Sequence, residues 1–436
     1  MPIHRLPLRG ADLVLMGMQA LWKDARVSNN ALLVVDCDGT IDPSRVGRAL
    51  DKLLDMCPWP AARLRRSFPW GQLHWASGPR ASLAVPRVRH HCVELRQDLH
   101  VQLESEVNET IDPRREAPLR VLVVDWKSVP PPPRSVLVLT WFHPLMDPRG
   151  AQNLLMHLTH LDSEKGPAPW DGAPPGFVTR PDTRSLKERG RLARRSLAYM
   201  RTLMQLPPVS PGTSLTAPGL ARFRLSSFGD DGADGSGARE AREICSRLAA
   251  VGKAMAELWE RRGLPDLPFF VPIAVDLRPK GEPGATFGNL LAFHFARFKP
   301  SETADIAHLA RTLRRQMADA VRDGQVEANA VAMEFLKYRP LSMMLRELPG
   351  TRTRETFSFN CADVMRFPLD SVFGRRVLNA YHVPAVMPRP GIGIFFNRCE
   401  STTNVVTSWI EGAVSENEVA RIVDVIGKGL GWRRIA

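Results

Sequence analysis

No stretch of the 436 residues reaches the roughly 18 to 20 consecutive uncharged apolar residues that a membrane-crossing helix needs. The opening segment, "MPIHRLPLRGADLVLMGMQALW", has a short apolar part, but no A-x-A-like cleavage site follows, and Lys23 and Asp24 come at once. It reads as part of the fold and not as a signal peptide, which makes the cytoplasm the expected compartment. Cysteine is scarce. Cys37, Cys57, Cys92, Cys245, Cys361 and Cys399 are scattered, with no C-x-x-C pair and no ligand spacing, so buried free thiols are expected instead of a disulfide framework or structural zinc. No internal repeat is visible, and no G-x-S-x-G elbow marks a serine nucleophile.

Acidic residues are also in short supply. Lys and Arg number 59 against 46 Asp and Glu, a net charge of +13 that favours acidic or phosphate-bearing partners. The basic residues form no single block, and nucleic acid is not expected. The densest run, "RSLKERGRLARRSLAYMR" (184–201), mixes arginines with Leu186, Leu192, Leu197 and Met200. It reads first as a solvated helix joining two domains, and its basic face also allows peripheral membrane contact.

What is present is typical of a globular protein: 44% hydrophobic and 24% charged residues, in a chain longer than one core usually holds. The hydrophobic pattern alternates strands with helices in both halves, which predicts an α/β (α+β) fold of two similarly built lobes. The first lobe is expected over 1–175, a linker with the basic helix over 176–215, and the second lobe over 216–436. Strands are expected at 31–35, within 82–95, at 119–126, 136–142, 267–279 and 290–298, and near 355–360, 391–397 and 404–410. The Pro-rich 129–135 reads as a hairpin turn, and 163–182 and 229–240 read as linker or loop. A helix is expected over 240–261. Another follows Ser301, with Ile306, Leu309, Leu313, Met317 and Val321 on one face, and the last begins at the Ser415-x-x-Glu418 capping box.

Three motifs carry chemistry. "VVDCDGTID" (34–42) has the D-x-D-G-T opening of haloacid-dehalogenase-type phosphatases, though a strand-to-helix turn uses the same residues. His90 and His91 are adjacent on a strand, so their rings point to opposite faces, and no Cys or carboxylate at ligand spacing completes a metal site. The third, "VLVLTWFHPLMDPRG" (136–150), delivers His143 at the end of an apolar strand, with Asp147 four residues on. A His there can serve as a general base, and a nearby carboxylate can hold its surroundings. A strand-end His beside a turn Asp is the plainer reading of the same residues.

"FHPLMDPRGAQNLL" resembles the HHxxxDG motif of the chloramphenicol-acetyltransferase-like superfamily, which includes condensation domains, plant-type acyltransferases and wax ester synthase/diacylglycerol acyltransferases. "FFVPIAVDLRPKGEPGATFGNLLAFHFARF" resembles that family's second anchor, and "GRRVLNAYHVPAVMPRPGIGIFFNRCESTTNVVTSWIEG" its closing strands. The wax ester synthase-like members stand as the expected nearest relatives, although neither their N-D-x-x-x-A helix nor the plant-type D-F-G-W-G is found. The resemblance implies mixed sheets, a tunnel between two lobes, and His143 as the catalytic base. It also implies that Asp147 pairs with Arg278, that Gly150 supports the loop, that Phe142, Gly288 and Asn289 shape the tunnel, and that Ser358 or Asn360 offers an oxyanion donor. The donor would be acyl-CoA or a phosphopantetheine-linked thioester on an acidic carrier protein, and the acceptor an alcohol or amine. No permanently bound cofactor is implied, and a monomer or dimer is expected. Phe142 and Pro148, which replace a His and a Gly of the motif, leave a catalytically silent binding module as the second reading. The phosphatase is the third.

Overall fold

The computed structural model describes residues 4–21, 28–69, 71–78, 85–126, 133–163, 183–215, 219–229, 237–278, 287–338, 355–364 and 366–435. In chain order the elements are β1 (His4–Pro7), α1 (Gly10–Ala20), β2 (Asn30–Cys37), α2 (Pro43–Met56), β3 (Arg63–Arg66), β4 (Leu73–Ser77), β5 (Val88–Val93), α3 (Arg96–Asn108), β6 (Leu119–Trp126), β7 (Arg134–Phe142), α4 (Pro148–Ser163), α5 (Leu186–Leu203) and β8 (Ala221–Gly229). Then come α6 (Gly237–Arg261), β9 (Phe269–Asp276), β10 (Leu291–Phe298), α7 (Ile306–Arg322), α8 (Gln325–Glu334), β11 (Asn360–Val364), β12 (Ser371–Val372), β13 (Arg375–Val383), β14 (Ile392–Cys399), β15 (Thr402–Ile410), α9 (Glu416–Leu430) and β16 (Arg433–Arg434).

The runs "LLVV", "VLVV" and "VLVL" in β2, β6 and β7 have no polar alternation, and both of their faces are covered. They form the middle of a six-stranded sheet ordered β12-β13-β2-β7-β6-β5, in which only β5 and β6 pair in parallel. Leu33, Val35, Leu137 and Leu139 face a core with Leu50 and Leu53 of α2 and Leu154 and Leu158 of α4. On the other face, Leu32, Val34, Val136 and Val138 pack against Phe223, Phe395 and Val406 of a second sheet, ordered β11-β14-β15-β8-β16. That second sheet buries its remaining face under α6, α7 and α9. β12 and β13 come from the later part of the chain yet complete the first sheet.

Several expectations shift. The last helix presents Val419, Ile422, Val423 and Ile426 to the core, with both capping-box bonds at Ser415 and Glu418 present. On α7, Val321 is 65% exposed, because the final turn runs past the edge of the core that holds Leu309 and Leu313. Residues 355–359 are not a strand; β11 starts at Asn360. α6 begins at Gly237. The strand expected within 82–95 occupies Val88–Val93. Residues 82–84, most of the 129–135 turn, the 164–182 linker, the 230–236 loop and the 279–286 turn lie outside the described residues. α5 packs one face along α8, with Ala193 and Ser196 buried, and leaves its outer surface, Leu186 and Leu197 included, exposed. Among the described residues no helix is long and apolar enough to cross a membrane.

Candidate active site

Strand β7 ends at Phe142, and alternation sends Phe142 and His143 in opposite directions. Phe142 is buried edge-to-face on Trp75, with ring centroids 6.5 Å apart, and it does not line the cavity. It is a core residue here, which corrects its expected place in the tunnel wall. His143 starts a 3-10 turn (His143–Leu145), and its backbone N–H donates to the Asn29 carbonyl at 2.8 Å. The Trp141 indole N–H donates to the Met146 carbonyl at 2.8 Å and closes the turn from below.

Asp147 comes next and is 4% exposed. Its Oδ1 accepts from Arg278 Nη2 at 2.9 Å and from the Gly150 N–H at 2.7 Å. Its Oδ2 accepts from Arg278 Nη1 and from the Leu290 N–H, both at 3.0 Å. The bond to Gly150 makes Asp147 the N-cap of α4, with Pro148 in the first helical position, where a missing N–H is harmless. Pro148 therefore fits the helix start. A Cβ on Gly150 would stand 3.2 Å from the Gly288 carbonyl oxygen, so any larger residue would push the two segments apart by a few tenths of an ångström. Gly288 itself has φ +89° and accepts from Arg278 Nη2 at 3.0 Å.

On the opposite side of the loop, the Asn289 amide donates to the His143 carbonyl at 3.2 Å and to Asp12 Oδ1 at 2.7 Å. Asp12 Oδ2 accepts the Arg9 backbone N–H at 2.8 Å. Burial pushes the Asp12 carboxyl up to about 7, even though these donors and the Arg9 charge pull it down. Asp12 was not anticipated, although an acid inside the apolar "GADLVLMGM" was a visible oddity.

His143 faces a cavity of about 800 Å3. Its walls include Leu15 and Met18 of α1, Met200 of α5, Phe293 and Phe295 of β10, and Phe395 of β14. Arg149, Gln152, Arg278 and Asn360 add polar groups. Burial drives the His143 pKa below its ordinary value, partly offset by the nearby backbone of His143 and Met146 and by the Asp147 charge. The ring is thus neutral at pH 7. Its Nδ1 is buried with no hydrogen-bond partner among the described residues, which leaves Nε2 as the nitrogen available to the cavity.

The sequence-predicted residues divide into three groups. His143, Asp147, Arg278 and Asn360 border the cavity. Gly150, Gly288 and Asn289 shape the loop from behind, outside the lining. Ser358 is 1% exposed, and its hydroxyl oxygen accepts the Phe270 N–H at 3.1 Å. It splices 355–359 to β9 and lies outside the cavity wall, which corrects its expected role there. Asn360 does line the wall, and its amide makes no hydrogen bond within the described residues. Sequence reasoning also passed over His382, 2% exposed, which sits edge-to-face on Trp141 at 6.3 Å. Burial takes its pKa to about 4, against the pull of Asn397, the Pro148 backbone and Asp147.

The D-x-D-G-T segment lies at the other end of the same strand pair: Asp36 pairs with Val136, whereas Asn30 pairs with Phe142. Asp38 accepts the Arg376 backbone N–H at 2.9 Å, as a turn residue does. The acidic cluster in "FGDDGADG" (228–235), the one that might supply the further carboxylates phosphatase chemistry needs, lies outside the described residues beyond Gly229. Cys92 and Asp125 stand beside His90. The parallel register of β5 and β6 sets Cys92 opposite Asp125, a pairing that sequence spacing could not reveal.

No protein-family model and no curated protein sequence matches the chain. Solved structures do. The starter condensation domain of the rhizomide synthetase RzmA, solved with C8-CoA and Leu-SNAC, superposes with a TM-score of 0.68 at 14% identity, covering 98% of this chain and 94% of that one. The first condensation domain of the calcium-dependent antibiotic synthetase, solved with a substrate analogue, gives 0.67 at 16% identity over 98% and 96%. The condensation domain of the monacolin K polyketide synthase MokA gives 0.66 at 15% over 99% and 97%. At such identities the likeness speaks for the fold: this chain has the two-lobed fold of condensation domains.

Proposed function

We propose that the protein transfers an acyl group from a CoA or carrier-protein thioester to an amine or alcohol, with His143 as general base. The observation that carries this reading is a neutral His143 at the wall of the 800 Å3 cavity, with only Nε2 free to meet a substrate. In this reading Nε2 takes the proton of the acceptor N–H or O–H while the acceptor attacks the thioester carbonyl. The tetrahedral intermediate collapses, the C–S bond breaks, and the departing sulfur takes the proton back from His143. General-base help of this kind is typically worth about 10²–10⁴-fold. No covalent acyl-enzyme is needed.

Asn360 is our choice of oxyanion donor, since its amide makes no hydrogen bond among the described residues and borders the cavity. The apolar wall of Met18, Met200, Phe293 and Phe295 suits a hydrocarbon acyl chain. The rhizomide structure was solved with a CoA thioester and Leu-SNAC, and by analogy we favour an amine acceptor over the alcohol of wax ester synthase-like enzymes. The residues that suggested a silent module weigh less now: Phe142 is accounted for by core packing, and Pro148 by the start of α4.

The test is mass spectrometry of products from a panel of acyl-CoAs with amines and alcohols. Product from wild type that falls at least a hundredfold in His143→Ala supports the proposal. Absence of product with every pair, or an unchanged rate in the variant, overturns it.

A further inference from the structure

We propose that His90, Cys92 and Asp125 form a surface site for one divalent transition-metal ion of the zinc class, completed by water. The site is independent of the acyl-transfer reading. Residues 90 and 92 share one face of the edge strand β5, and Asp125 of β6 sits directly across from Cys92. His90 Nε2 lies 2.8 Å from Asp125 Oδ2, and Cys92 Sγ lies 4.0 Å from the same nitrogen. The three ligand atoms all fall within 4.8 Å of one another.

Tetrahedral zinc with ordinary nitrogen, oxygen and sulfur bonds holds its ligand atoms about 3.3 to 3.8 Å apart. The His–Asp pair would open by about half an ångström and the His–Cys pair would close by a few tenths, while the Cys–Asp pair starts within 4.8 Å; these movements are within the reach of side-chain torsions. One nitrogen, one sulfur and one oxygen make a borderline-soft set that suits zinc or cobalt and disfavours calcium or magnesium.

Two further features support a built site. The first is the support of Asp125: its other oxygen accepts the Ser135 hydroxyl, and the Ser135 oxygen in turn accepts the Ile41 N–H at 2.8 Å. This chain fixes the carboxylate so that Oδ2 is turned to His90. The second is access. Of the six cysteines Cys92 is the exposed one; Cys57 is half-buried and the other four are buried. Burial raises the thiol pKa of all five, to about 12 for Cys37 and about 11 for Cys399.

The metal-free, full-length protein is titrated with cobalt(II) chloride while the sulfur-to-cobalt charge-transfer absorption is followed, and zinc chloride then displaces the cobalt. One equivalent per chain is expected, with the band abolished in Cys92→Ser. Affinity should fall at least tenfold in His90→Gln and in Asp125→Asn. All three positions are at the surface or half-buried, and thermal melts check that each variant folds. In parallel, zinc should slow iodoacetamide labelling of Cys92 but not of Cys57, read by peptide mass spectrometry. Absence of the charge-transfer band, equal cobalt affinity in wild type and Cys92→Ser, or unprotected Cys92 overturns the site.

Discussion

Two buried carboxylates hold the His143 loop from opposite sides, and their partners differ. Asp147 meets the Arg278 guanidinium through both oxygens and receives two backbone N–H bonds besides. Asp12 accepts the Arg9 backbone N–H and the Asn289 amide, and burial pushes this acid to about 7 against those bonds and the Arg9 charge. Bidentate, charge-assisted hydrogen bonds offset more of the loss of hydration than single hydrogen bonds do. The same loop is therefore fastened on one side by an ion pair and on the other by an acid that titrates near neutrality.

Breaking the first fastening should have the largest effect. Asp147→Ala leaves Arg278 with Asp276, 3.0 Å from its Nη1, as the remaining carboxylate partner and removes the cap of α4; a loss of about 3 kcal/mol, the low end for breaking a buried pair, is expected in urea unfolding. Asp147→Asn keeps the cap acceptor but not the charge, and should fall between the alanine variant and wild type. Equal stability of Asp147→Ala and wild type would remove the distinction drawn above.

The second fastening should yield a smaller effect that depends on pH. The folded pKa of Asp12, about 7, is above its unfolded value of 3.8, so Asp12 contributes stability below pH 3.8 that is lost as pH rises through 7. Asp12→Asn does not ionise and should lose least, relative to wild type, at pH 8. Urea midpoints of both proteins at pH 5 and pH 8 test this, and a gap that does not narrow at pH 8 contradicts it.

The smallest shift concerns His143 itself. Its depressed pKa means that the base form is already present at pH 6.5. If His143 is the base proposed above, the acid limb of kcat/KM lies below the ordinary histidine value. A limb above pH 7 would show that the ring is not held neutral by burial.

The contrast between the two carboxylates also explains what could be read in advance. His143 and Asp147 lie within one short segment, where strand alternation and turn chemistry act locally, and both were legible. So were the apolar faces of α7 and α9, apart from Val321 at its helix end. Arg278 came from family resemblance and could not have come from spacing, since its approach to Asp147 depends on the Gly150–Gly288 contact. Asp12, His382 and Asp125 were missed for the same reason: each reaches its place through pairing between distant segments. Ser358 was placed by family resemblance beside Asn360, whereas its backbone and hydroxyl splice onto Phe270.

The strand exchange between halves has a consequence for how the protein is made. β2 lies between β7 and β13, so residues 30–37 keep one unpaired side until residues 375–383 arrive. During synthesis the first sheet is left with a long apolar edge for most of the time the ribosome is at work, which invites edge-to-edge association. Expression of the first half alone should give insoluble material, and slower translation should worsen the yield of the full chain.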